Sequence, residues 1–243
     1  MNELSTTLSY ILWPVAFMIL GGIAAIFRAP GPRLTSAIQH FAAGVVFAAI
    51  AVELLPELVG EHAPFAVMVG FALGVLLMLG MKALTARLGA KTVLPAGGTA
   101  SPLGLVATVA IDVFIDGLLI GVGFAAGAEQ GKMLTFALTL ELLFLGLSAA
   151  SSQIQAGVAR AKVVGATLLL GGLVALGASI GILLLGGLKG PVLAGVLAFG
   201  SAALLYLVTE ELLVEAHEVP ETPWLTAAFF LGFLVFLELG MAV

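Results

Sequence analysis

Apolar residues fill this chain in long runs, interrupted at intervals by short polar stretches. Eight runs lie near 7–27, 37–59, 63–83, 103–127, 133–157, 163–186, 191–215 and 224–242. A helix needs about 20 apolar residues to cross the hydrocarbon core of a bilayer. Each run therefore predicts a membrane-spanning helix. The separators read RAPGPRLTS, GEHAP, ARLGAKTVLPAGGTASP, GAEQGK, ARAK, GGLKGP and EAHEVPETPW. Most are short, polar and rich in Gly or Pro, as helix connections are. The pattern predicts an all-α polytopic membrane protein whose 243 residues form a single transmembrane domain. The split between the second and third runs is the thinnest, resting on GEHAP alone.

Composition supports this class and narrows the chemistry. The chain is 61% hydrophobic and 9% charged, with a mean hydropathy of +1.23. A water-soluble domain of this size could not cover its surface with so little charge. Cysteine is absent, which removes disulfides, thiolate zinc sites and Cys nucleophiles together. Three His are too few for a His-rich metal site. The acidic balance and the lack of a basic cluster argue against nucleic-acid binding. The opening MNELSTTLSY has no basic n-region, so the first run is expected to be retained rather than cleaved as a signal peptide.

Positive charge suggests an orientation. With the N-terminus outside, the first, third and fifth loops are cytoplasmic and hold Arg28, Arg33, Lys82, Arg87, Lys91, Arg160 and Lys162. The outer loops hold only Lys132 and Lys189. That bias follows the positive-inside rule and places both termini on the periplasmic or extracellular side. The seventh loop dissents, with Glu215, Glu218 and Glu221 and no Lys or Arg. Acidic residues weigh little in the rule.

An echo links two runs. AVELLPEL closes the second and VTEELLVEA the seventh, so Glu53-Leu-Leu-Pro-Glu57 matches Glu211-Leu-Leu-Val-Glu215. Each follows a run of small residues. The two spans cross in opposite directions, which is the mark of an inverted-topology repeat.

The acids inside the spans point to chemistry. Most glutamates sit near span ends, where solvation is cheap. Glu53 is about one turn inside the end of its span. Asp112, Asp116 and Glu141 lie deeper. An ionised carboxylate at the bilayer centre costs about 2.5–3.5 kcal/mol on the lenient insertion scale. Asp112 and Asp116 are four residues apart and share a helix face. Glu141 lies in the next span at a comparable depth from their shared loop. Three unpaired acids would cost roughly 8–10 kcal/mol by simple addition. No Lys or Arg lies deep in any span to pair with them. A bound cation is the economical partner. Oxygen-only ligands favour Mn²⁺ or Mg²⁺, or Fe²⁺ and Zn²⁺ in a weaker site. The alternative is protonated acids hydrogen-bonded to neighbouring helices. Gly117 and Gly121 add a small-xxx-small pair suited to close helix packing.

These residues resemble the ZIP family of divalent metal-ion transporters, its bacterial branch in particular. The family's fourth helix typically reads His-Asn-x-Pro-Glu-Gly or His-Asn-x-x-Asp-Gly, and here the stretch is Asp112-Val113-Phe114-Ile115-Asp116-Gly117. GVVFAAIAVELLPEL is similar to the second family helix, and GSAALLYLVTEELLVEAHE to the seventh. In the fifth, Gly146-Leu147 anchors a register that sets Glu141 at the first ligand position, with Leu142, Phe144 and Leu145 replacing the second ligand, a Pro and a Glu. A shift by one would set Glu141 at the second position. In the sixth, Gly172-Leu173-Val174-Ala175-Leu176 stands where the family reads Gly-Leu-x-Glu-Pro.

The resemblance implies eight helices in a 3+2+3 arrangement of inverted repeats, in the inner membrane. It implies transport of a divalent ion of the Zn, Mn or Fe class, as substrate and with no organic cofactor. Asp112, Asp116 and Glu141 are the expected metal ligands, and Glu53 and Glu211 are candidates along the access and release routes. The family's second metal position is apolar here, at Val113, Leu142 and Ala175, with its shared acid replaced by Leu145. One all-carboxylate site is therefore expected in place of a two-metal site. The loop after the third span lacks His, so no cytoplasmic zinc sensor is expected there. The expected partners are the lipid bilayer and the metal ion, with a homodimer left open. No enzymatic activity is expected. Rival readings are a proton-linked carrier of another solute, a non-transporting ZIP-like protein and an intramembrane aspartyl protease. The last usually takes one Asp from each of two helices, whereas here both lie on one.

Overall fold

The computed structural model describes residues 9–27, 30–92 and 102–242. Arg28 and most of the loop after the third run lie outside the described residues. Within them the chain is helical and contains no strand. The helices are α1 (Leu12–Phe27), α2 (Pro32–Gly60), α3 (Pro64–Thr92), α4 (Pro102–Ala126), α5 (Ala128–Gln155), α6 (Arg160–Leu185), α7 (Gly190–Ala216) and α8 (Pro223–Ala242). Seven, α2 to α8, are long and apolar enough to cross a membrane, whereas α1 has 16 described residues. The chain is thus a multi-pass, all-α membrane protein.

Proline starts many of these helices. Pro32, Pro64, Pro102 and Pro223 begin α2, α3, α4 and α8, and Pro191 falls in the first turn of α7. At these positions the missing N–H has no helical partner to lose and the ring presets φ. Glycine ends α5: Gly157, with φ +77°, donates to the Ile154 carbonyl at 2.9 Å, and the Val158 N–H reaches Gln153 O at 3.0 Å. These bonds cap the last carbonyls in the way left-handed C-terminal residues do. In GEHAP the chain turns at His62, whose φ is +52°. GAEQGK, expected as a connection, is mostly helix. Only Gly127 separates α4 from α5, and Glu129 and Lys132 form an i,i+3 ion pair at 2.7 Å in the first turns of α5. Polar residues at a membrane interface can continue a helix as readily as end it.

Two helices contain a π-helical turn, Ile50–Leu54 in α2 and Leu207–Leu212 in α7. Pro56 follows the first and cannot donate the regular i→i−4 bond. The second has Val214 at the matching place, so proline is not its cause. Such turns concentrate at functional sites.

Packing places α4 and α5 at the centre. They pack against each other, with α6 and α7 on the α4 side and α1 and α2 on the α5 side. The outer helices α3 and α8 cover α7 and α2 and bury little of their own length. Glycine lets the closest pairs touch backbone to backbone. A Cβ on Gly117 would come within 2.8 Å of Ala178 N, and one on Gly177 would meet the Phe114 carbonyl, so α4 and α6 are in mutual contact. Gly21 and Gly146 do the same for α1 and α5. In hydrocarbon such close packing supplies the helix–helix attraction that water would otherwise drive.

Candidate functional site

A cavity of about 490 Å³ opens between α2, α4, α5 and α7. Each helix gives it polar residues at helical spacing. Asp112 and Asp116 come from α4, Thr35 and Gln39 from α2, and Glu211 and Glu215 from α7. From α5 come Glu141, Ser148, Ser152 and Gln155, one continuous stripe. Pro30 and Pro32, before and at the start of α2, and Glu218 and Val219, just past α7, line it as well. It therefore opens at the end of the bundle where α2 begins and where α5 and α7 end.

Asp116 and Glu141 form its floor. They are 1% and 3% exposed, respectively. Both Asp116 oxygens and Glu141 Oε2 are enclosed without a hydrogen-bond partner. Asp112 is less buried. The acids lie close enough to act on one another: Glu141, Asp112 and Glu211 all bear on Asp116. Glu141 feels Glu211, Asp112 and Glu215. Gln39 Nε2 donates to Glu215 Oε2 at 2.7 Å, the one neutral side-chain donor on a cavity carboxylate among the described residues. No Lys or Arg lines the cavity among the described residues. Lys82 binds Glu210 instead, at 2.9 Å on the exposed side of α7.

Several carboxylates gathered without cations repel one another, and buried oxygens without donors forfeit the bonds they had in water. A divalent cation offsets both. Asp112, Asp116 and Glu141 could hold it, with Glu211 beside them. An all-oxygen site of this kind suits harder divalent ions.

The structure brings Asp112, Asp116, Glu141 and Glu211 into one cavity and leaves Glu53 out of it. Glu53 sits half-buried towards the opposite end, near Gly240 of α8 and electrostatically coupled to Glu129 at the start of α5. The apolar residues beside the acids also converge. Val113, Leu142 and Val174, each 0% exposed, form one cluster with Met18 and Leu170, and Leu145 packs against it. Ala175 does not join them; it packs on the main core, and its neighbour Val174 takes the place in the cluster.

Sequence reasoning missed Gln39, Glu215 and the serines of α5. The stripe from Glu141 through Ser148 and Ser152 to Gln155 was the available signal. Three His are too few for a His-rich metal site, but two of them, His40 and His217, converge with Glu221, their ligand atoms all within 4.8 Å of one another. His40 and His217 lie far apart in sequence, so counting them gave no sign of this. No known family model matches the chain, and no curated protein matches it.

Proposed function

We infer that this protein carries divalent metal ions of the Zn, Mn or Fe class across the inner membrane, in the manner of the ZIP transporters it resembles. The ion sits on Asp112, Asp116 and Glu141. The observation that carries this reading is the pair of enclosed carboxylates, Asp116 and Glu141, with unpartnered oxygens on the floor of a cavity that no basic residue lines among the described residues. The buried cluster of Val113, Leu142 and Val174 supports a single-ion site, since it leaves no polar ligand where a second ion would bind.

Eight spans in two inverted halves complete the reading, with α1 as the eighth span. The contacts support this arrangement. Pairing α1 with α6, α2 with α7, α3 with α8 and α4 with α5 converts one set of contacts into the other: α1·α5 becomes α6·α4, and α2·α8 becomes α7·α3. The π-helical turns of α2 and α7 correspond, as do Gly146 with Gly117 and Gly21 with Gly177. The same register matches Glu141 with Asp112 and Glu53 with Glu211. With the positive-inside orientation the cavity opens to the cytoplasm, Glu211 lies on the release route, and Glu53 marks the counterpart on the opposite face. Rocking of the outer helices against α4 and α5 would expose the site to each side in turn.

Uptake of Mn²⁺, Fe²⁺, Zn²⁺ and Cd²⁺ into reconstituted vesicles tests the reading. Wild type is expected to accumulate at least one ion and Asp116→Asn none. Uptake unchanged by that substitution overturns the reading. Proton flux that depends on Asp116 without metal uptake would instead support the proton-linked carrier.

A further inference from the structure

We propose that His40, His217 and Glu221 form a second cation site at the rim of the cavity, built from two imidazoles and one carboxylate and fitted to Zn²⁺ or a similar borderline divalent metal. His40 lies on α2 and is 3% exposed. Its Nδ1 is 2.9 Å from the Ser36 carbonyl. A carbonyl can only accept, so this contact sets the proton on Nδ1 and leaves a lone pair on Nε2. That Nε2 is buried and has no hydrogen-bond partner. A neutral imidazole fixed through one nitrogen, with its other lone pair free, is the form in which His binds a metal.

His217 repeats the arrangement. Its Nδ1 meets the Leu213 carbonyl. Its Nε2 then faces Glu221 Oε1 at 2.5 Å. Two lone-pair-bearing atoms so close require a cation between them. A proton would satisfy His217 and Glu221 but would leave His40 Nε2 bare. A metal ion answers all three. The frame is tied across the fold: Ser36 Oγ donates to the Ala216 carbonyl at 2.7 Å, holding α2 against the end of α7. The two rings stand 5.1 Å apart at 58°.

Zinc–nitrogen distances of about 2.0–2.1 Å require ligands closer together than the widest spacing here. His217 and Glu221 are exposed at the end of α7 and just beyond it, so their side chains are free to close that gap. Carbonyls at a helix C-terminus also favour a cation there. Three protein ligands leave a fourth position for water, which allows exchange. Gln39 and Glu218, next in sequence to His40 and His217, both line the cavity. The site stands independently of the transport reading; if that reading holds, it is the next stop for an ion leaving Asp116.

Zn²⁺ binding to the purified full-length protein, measured by equilibrium dialysis in an Asp116→Asn/Glu141→Gln background, isolates this site from the cavity floor. One Zn²⁺ per chain is expected to remain, with imidazole scattering in its X-ray absorption spectrum. Adding His217→Ala or Glu221→Gln should weaken it at least about 100-fold, since even outer-shell changes cost about 10- to 100-fold. Both residues are exposed, so the fold should survive, and an unchanged circular dichroism spectrum verifies this. Zn²⁺ affinity unchanged by these substitutions, or no Zn²⁺ bound by the folded background protein, overturns the proposal. Loss of Asp116-dependent uptake leaves this result untouched, so the two readings fail separately.

Discussion

Asp116 on α4 and Glu141 on α5 meet on the floor of one cavity, both enclosed, and three of their four carboxylate oxygens have no hydrogen-bond partner. Each adds to the electrostatic burden on the site, with Asp112 and Glu211 beside them. Such an arrangement is under tension when empty and relaxed when a cation is present.

Asp116→Asn should leave the metal-free protein at least as stable as wild type, because it removes one member of a crowded group of buried carboxyls. In wild type, metal at a hundredfold excess over Kd should add about 2.7 kcal/mol. The variant should lose that gain. Thermal unfolding in detergent, with chelator and with Mn²⁺, measures both effects.

Binding should weaken in acid. Carboxylate ligands bind metal only when deprotonated, so protons compete with the ion. Mn²⁺ titrations across a pH series should show affinity falling as pH falls. Asp116→Asn, wherever residual binding is measurable, should give a shallower dependence.

Gly117→Val should break the α4–α6 contact. Its side chain would meet backbone atoms of Val174, Gly177 and Ala178, which cannot swing aside. Overpacking of this kind costs about 1–3 kcal/mol or more. Gly172→Ala is the control, since nothing lies within 4 Å of its added Cβ. That change should be neutral or slightly stabilising, as alanine is a better helix former than glycine. Unfolding midpoints of the two variants decide the matter.

Leu142→Ala should cost about 2–5 kcal/mol by opening a void in the cluster of Val113, Leu142 and Val174. The number of Mn²⁺ ions bound at the cavity floor should stay at one. A second cavity ion in this variant would mean that the bulk of Leu142, and not the lack of a polar ligand, limits the site to one ion.

The sequence made the deep acids legible because hydrocarbon makes each one conspicuous. Asp112 and Asp116 share a face through their spacing, and Glu141 was matched to them by depth. Glu215 was discounted because a carboxylate near a helix end is cheap to solvate. In the fold that end forms a cavity wall, and the Gln39 amide donates to it across the bundle. His40 and His217 carry no shared spacing, so only the contact of α2 with the end of α7 brings them together. The π-helical turns were hidden for a different reason: Pro56 hints at one, while nothing comparable follows the other. The connection at GAEQGK shrinks to Gly127 because Glu129, Gln130 and Lys132 fit into the first turns of α5, where polarity alone marks no helix boundary.

Anomalous X-ray diffraction from crystals soaked in Mn²⁺ or Cd²⁺ would locate the ion itself. One peak is expected at the cavity floor, bonded to carboxylate oxygens of Asp116 and Glu141 with Asp112 alongside, and no such peak in Asp116→Asn. A cavity floor that stays empty of metal in folded wild-type protein, under saturating ion, would contradict a metal site on these carboxylates.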